Sequence, residues 1–98
     1  MAAVVNHLHF TDPVDPELFA AAERDLVPQM REIEGFEALH VIQTGPTDVI
    51  LIILGSSPEV LDQVATEVGS PWMGANVVPL LAGPPDRHVG ETIATSER

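Results

Sequence analysis

The 98-residue sequence predicts an α+β fold of element order β-α-β-β-α-β, and three observations carry that prediction. Residues 4–10 alternate two sets of side chains, Val5, His7 and His9 against Val4, Asn6, Leu8 and Phe10, as a pleated strand does. Asp15-Pro16 and Ser57-Pro58 each place proline after a capping residue, and apolar residues then recur at helical spacing. Residues 49–54 are an unbroken aliphatic run preceded by the turn Thr44-Gly45-Pro46-Thr47-Asp48, the pattern of a hairpin leading into a central strand. Joined by right-handed crossovers in the ferredoxin-like, split βαβ manner, these elements give a four-stranded antiparallel sheet of order 4-1-3-2 with both helices on one face.

Each element follows from its residues. After Asp15-Pro16, the positions Leu18, Ala22, Leu26, Met30 and Ile33 form one apolar stripe, with Pro28 inside it. Proline lacks an amide donor and crowds the preceding turn, so a kink without a break is expected there, and Gly35 is expected to cap the end. Residues 36–43 read as the second strand, with Phe36, Ala38, His40 and Ile42 alternating against Glu37, Leu39, Val41 and Gln43. The second helix carries Leu61, Val64, Ala65 and Val68 and is expected to stop at Gly69. Ser70-Pro71 then predicts a short extra helix before the last strand, through Trp72, Met73, Val77 and Val78. Gly83-Pro84-Pro85 predicts a loop, and residues 88–95 the fourth strand. Residues 1–98 form one domain, with 1–3 and 96–98 expected to fray.

Composition narrows the function classes. Fifteen acidic residues face four arginines and no lysine, for a net charge of −11, which disfavours nucleic acid and anionic membrane surfaces as partners. Without cysteine there is no thiolate chemistry, disulfide or iron–sulfur ligation. The absence of a signal-peptide pattern points to the cytoplasm, and the longest apolar run is far too short to span a bilayer. No glycine-rich phosphate loop, G-x-S-x-G elbow or H-E-x-x-H motif occurs. With both helices on one side, the other sheet face is left uncovered, and a homodimer is the expected way to cover it.

This element order, Asn6 in the first strand, and the passage Glu34-Gly35-Phe36-Glu37 followed by Leu39, Val41 and Gln43 resemble the antibiotic biosynthesis monooxygenase-like family. The resemblance covers roughly residues 4–95. It implies a dimeric α+β barrel, in which two sheets close a barrel at the dimer interface and each subunit's pocket lies between its helices and its sheet. It also implies one of two chemistries, or none. One is cofactor-independent oxygenation of polycyclic, quinol-type substrates, and the other is haem degradation. The haem-degrading branch pairs a first-strand asparagine with a second-helix tryptophan and a later histidine ligand. Residues 61–68 hold no tryptophan, Trp72 falls beyond Gly69, and no histidine lies between His40 and His88. The oxygenase branch often places a tyrosine in its pocket, and this chain has none.

The resulting expectation is a cofactor-free, monooxygenase-like enzyme acting on a small aromatic or polyketide-like substrate, or else a non-catalytic dimeric binding or assembly module. Asn6 is the candidate catalytic residue, since an amide beside a phenol or enol orients it or stabilises its oxyanion. The alternative is a buried amide satisfied by a loop or water. Trp72, Met73, Phe10 and Leu8 are the candidate pocket walls, or else plain core. His7 and His9 are assigned to the dimer-barrel face, where the alternative to a metal is hydrogen bonding across the barrel. With His88 they are also the weak candidates for a metal site, and a histidine is a candidate proton acceptor. Arg87 either binds an acidic group of a substrate or pairs with Asp86 or Glu91 to tie down a loop.

Overall fold

A computed structural model describes residues 1–94. The first strand, β1 (Ala2–His9), runs down the middle of a four-stranded sheet. It pairs antiparallel with β3 (Asp48–Gly55) on one side and with β4 (Asp86–Glu91) on the other. The hairpin partner β2 (Phe36–Gly45) forms the edge beyond β3. The order β2-β3-β1-β4 is the expected 4-1-3-2 sheet read from its other edge. β4 begins at Asp86 and ends at Glu91, two residues earlier at its start than the sequence suggests, because its strand pairing begins directly after Pro85. The expected strand through residues 92–94 does not form, because pairing with β1 runs out at Ala2 opposite Glu91, and Ala2 and Ala3, expected to fray, are the first residues of β1; Thr95 and the expected frayed tail 96–98 lie outside the described residues.

Register decides which residues share a face. On the helix-covered face, Val41, Leu51, Asn6 and Arg87 form one row across all four strands, and Leu39, Ile53, Val4 and Val89 form the next. The opposite face carries the rows His40-Ile52-Val5-His88 and Ile42-Ile50-His7-Asp86. A register shift between Phe36 and Ala38 adds one residue to β2, which turns Phe36 onto the helix-covered face with Leu39.

The first helical segment starts as its sequence specifies, with Asp15 Oδ1 accepting from the Glu17 amide at 3.0 Å. It is divided, where a single kinked helix was expected. Helix α1 (Pro16–Asp25) and helix α2 (Val27–Arg31) meet at Leu26, two residues before Pro28. Leu26 keeps helical angles (φ −91°, ψ −46°) and the bonds Leu26 N to Ala22 O and Met30 N to Leu26 O persist at 2.8 and 2.9 Å, so the apolar stripe stays in phase across the junction. Pro28 cannot donate to the carbonyl four residues back, which is the physical reason for the division. Gly35, at φ 94°, sits beyond α2 in the turn into β2, and its carbonyl accepts from the Ser56 amide at 2.9 Å.

The second helical segment departs further from expectation. Helix α3 (Pro58–Val64) is capped by Ser57 Oγ accepting from Val60 N at 3.3 Å, as the sequence implies. Gly69 does not end it. Residues Ala65–Gly69 form a single π-helical turn, closed by Ser70 N donating to Ala65 O, and the chain runs on into helix α4 (Ser70–Asn76). Ser70 makes no capping bond and Gly69 has ordinary helical angles, so Ser70-Pro71 lies inside a continuous helical run and starts nothing. A proline in mid-helix leaves a carbonyl without its donor, and the wider turn before it is how the backbone re-registers. A short 3₁₀ turn, Val78–Leu80, leads back toward β4.

The core lies between the sheet and these helices. Leu8, Phe10, Val49 and Val77 pack at one end, and Ala22, Leu26, Met30, Val64 and Val68 at the other. Phe10 and Phe19 meet edge to face with ring centroids 6.3 Å apart. Among the described residues no helix is long and apolar enough to cross a membrane.

Candidate functional site

The sheet and helices do not close completely on one another, and a cavity of about 270 Å³ remains between them. Its floor is made by two adjacent rows of the sheet: Leu39, Ile53 and Val4, then Val41, Leu51, Asn6 and Arg87. Phe19 and Ala22 of α1 wall one side, and Trp72 and Met73 of α4 another. Ala65, Gly69 and Ser70 also line it, so the π turn borders the cavity and aims the start of α4 at it. The volume is just below the about 300 Å³ at which small-molecule pockets commonly begin.

The walls are almost wholly apolar. Among the described residues the polar groups in them are the Asn6 amide, the Ser70 hydroxyl, the Trp72 indole N–H and the Arg87 guanidinium, and Arg87 is the one that carries charge. Asn6 Oδ1 is shielded from solvent and accepts no hydrogen bond from the described residues, an arrangement that native structures rarely tolerate without a reason. Its cross-strand neighbour Arg87 is exposed and also lines the cavity. The ion pairs expected for Arg87 do not form. Asp86 lies 3.0 Å from His88 on the other face, and Glu91 lies 3.5 Å from the N-terminal amine.

The sequence-derived pocket residues divide between cavity and core. Asn6, Trp72 and Met73 line the cavity. Leu8 and Phe10, expected beside them, are 0% and 6% exposed and packed against Val49 and Val77. They share Asn6's sheet face, but Val77 and the partly buried Trp72, Met73 and Leu81 close over that end of β1. Arg87 falls before the strand expected to start at His88, and the structure places it inside β4. The alternation of Arg87 and Val89 against Asp86 and His88 is the signal that places it in the strand.

The four histidines all stand on the face away from the cavity, so the expected histidine proton acceptor is not there. His7 and His9 share that open face as expected, with ring centroids 5.5 Å apart. His9 Nδ1 is held by Asp48 Oδ1 at 2.7 Å. Register sets His88 opposite Val5, not opposite His7, and no group of three His, Cys, Asp or Glu able to hold a metal ion occurs among the described residues. The metal set His7, His9 and His88 is therefore not assembled within one subunit. The haem-degrading pattern fails for a related reason. The continuous helical run does bring Trp72 into the cavity with Asn6, yet no histidine lines that cavity to ligate iron.

The chain shares its fold over nearly its whole length with antibiotic biosynthesis monooxygenase-type structures. A monooxygenase from the gene ActVA-Orf6 of Streptomyces coelicolor, in complex with nanaomycin D, superposes with a TM-score of 0.79 at 18% identity, covering 99% of this chain and 91% of the other. SnoaB, a cofactor-independent oxygenase from Streptomyces nogalater, gives 0.74 at 10% identity over 96% and 94%. A protein of unknown function from Nitrosomonas europaea gives 0.76 at 17% identity over 99% and 93%. No protein-family profile matches the sequence, and no curated protein matches it significantly.

Proposed function

We propose that the chain is a small cofactor-independent, monooxygenase-like enzyme acting on a hydroxylated aromatic or polyketide-like substrate. The observation that carries this reading is Asn6, an amide that lines an otherwise apolar cavity and whose Oδ1 has no protein donor among the described residues. A buried acceptor without a donor costs about 1–3 kcal/mol, and turning the amide toward the cavity lets a phenolic or enolic hydroxyl supply the missing donor. In this scheme Asn6 fixes the orientation of the reacting ring, while Trp72 and Met73 enclose its apolar body. An activated ring CH₂ and dioxygen then give a ring carbonyl and water. One oxygen atom enters the product, the other leaves with both hydrogens, and the substrate supplies every electron. The oxygenases of the same fold support the reading.

The open sheet face, with Ile50, Ile52 and Leu54 at its centre and Val5 and Ile42 exposed, is assigned to a second copy of the chain. His7 and His9 then lie in the interface.

One observation favours a second reading, a dimeric ligand-binding module without catalysis. Among the described residues the cavity is lined by no His, Asp, Glu or Tyr, so none of their side chains there is placed to accept a proton. Oxygen uptake with anthrone and dihydroxynaphthalene substrates separates the two. Catalysis predicts substrate-dependent uptake that falls at least about tenfold in Asn6→Leu, whereas binding without uptake in the wild type selects the module.

A further inference from the structure

On the open sheet face, away from the cavity, β1 presents two imidazoles at alternate positions. His7 and His9 are both exposed, and their ring centroids stand 5.5 Å apart. Two imidazoles on one tetrahedral ion, at about 2.0–2.1 Å per nitrogen, place their centroids roughly 5 Å apart, so a small side-chain rotation closes this pair on an ion. The second observation is how His9 is held. Asp48, its cross-strand neighbour on β3, lies with Oδ1 2.7 Å from His9 Nδ1. A carboxylate only accepts hydrogen bonds, so Nδ1 carries the proton and Nε2 keeps its lone pair. Metal-binding histidines are held in this way, with the other ring nitrogen donating to a carboxylate that fixes the tautomer and raises the ligand's basicity. His7 stands opposite Asp86 on β4, so a carboxylate flanks the pair on each side, Asp86 itself lying 3.0 Å from His88 Nε2. The net charge of −11 adds a field that gathers cations.

We infer that His7 and His9 chelate one divalent transition-metal ion on the open face, with Asp48 as the positioning residue behind His9. Imidazole nitrogens suit zinc, nickel or copper(II), and not magnesium, which prefers oxygen ligands. The two imidazoles are this chain's whole contribution, since no group of three His, Cys, Asp or Glu able to hold a metal ion occurs among the described residues. The remaining positions go to water or, where a second copy covers the face, to the same pair of that copy. The ion lies on the opposite side of the sheet from the cavity and takes no part in the proposed reaction, so the two proposals stand or fall separately.

Calorimetric titration of the metal-free full chain with zinc chloride tests the site. Saturable binding in the micromolar range is expected, and excess magnesium leaves it unchanged. His7→Gln and His9→Gln each weaken it at least about tenfold, and Asp48→Asn weakens it about tenfold, while the far-UV circular dichroism of the metal-free variants stays as in the wild type. His40→Gln, on the same face but on the edge strand β2, leaves the affinity unchanged. In the wild-type protein zinc is expected to shift the ring NMR signals of His7 and His9 more than those of His40, a readout that needs no variant to fold. One zinc per chain assigns the open positions to water. One zinc per pair of chains, with dimerisation strengthened by zinc in sedimentation velocity, assigns them to the partner, and either result supports the site. No saturable zinc binding, binding that survives both His7→Gln and His9→Gln, or larger NMR shifts at His40 overturns the inference. Unchanged zinc affinity in Asp48→Asn refutes the role given to Asp48.

Discussion

Replacing Asn6 by leucine is expected to stabilise the protein while weakening its function. The amide oxygen is shielded from solvent and has no protein donor, which costs about 1–3 kcal/mol in the folded state. Leucine has nearly the same shape, and apart from the exposed Arg87 the side chains beside it on the sheet (Val4, Leu8 and Leu51) are apolar, so the substitution removes the penalty and adds apolar contact. At the low end of that range the gain is about 1 kcal/mol, which for a domain of this size raises Tm by about 4–8 °C. Scanning calorimetry of wild type and Asn6→Leu at matched concentration measures the shift. The same variant loses the acceptor for the ligand hydroxyl and binds 1-naphthol more weakly, a trade of function for stability typical of active sites. An unchanged or lowered Tm refutes the reasoning, because it means that the amide is already satisfied in the free protein.

Three further substitutions probe the surrounding structure. Leu8→Ala removes a side chain with 0% exposure and is expected to cost about 2–5 kcal/mol by denaturant unfolding; a loss below about 1 kcal/mol contradicts its place in the core. Gly35→Ala is expected to destabilise by more than about 1 kcal/mol, because φ is 94° and the new Cβ would lie 2.5 Å from Ser56 Oγ and 2.7 Å from Val60 Cγ2; a wild-type Tm contradicts this. Ile52→Asp, at the centre of the open sheet face, is expected to convert a dimer to a monomer in sedimentation velocity, and a wild-type chain that is monomeric at every concentration removes the dimer proposal.

Much of the fold was legible because the signals were local. Alternation along residues 4–10 assigned each side chain of β1 to its correct face, and the caps at Asp15 and Ser57 form as written. The same serine–proline idiom misled at Ser70-Pro71, where nothing local distinguishes a helix start from a proline absorbed by a π turn. That difference decides whether Trp72 belongs to a separate element or to the continuous run bordering the cavity. Depth along a strand was equally illegible. Asn6 and Leu8 share a face two residues apart, yet Asn6 borders the cavity while Leu8 is sealed, because helix packing over each end of β1 is a tertiary outcome. Arg87 was recognised as a candidate anion contact, but its pairing with Asn6 emerges only from the register of β1 with β4.

The central claim is that Asn6 Oδ1 receives the hydroxyl of a ligand held in the cavity beneath Trp72 and Met73. A crystal structure of the protein with 1-naphthol bound tests it most directly. The account predicts the ring system inside the cavity and the Asn6 amide turned toward it, with the hydroxyl oxygen about 2.7–3.0 Å from Asn6 Oδ1. A ligand seated elsewhere, or one in the cavity with its hydroxyl turned away from Asn6, contradicts it.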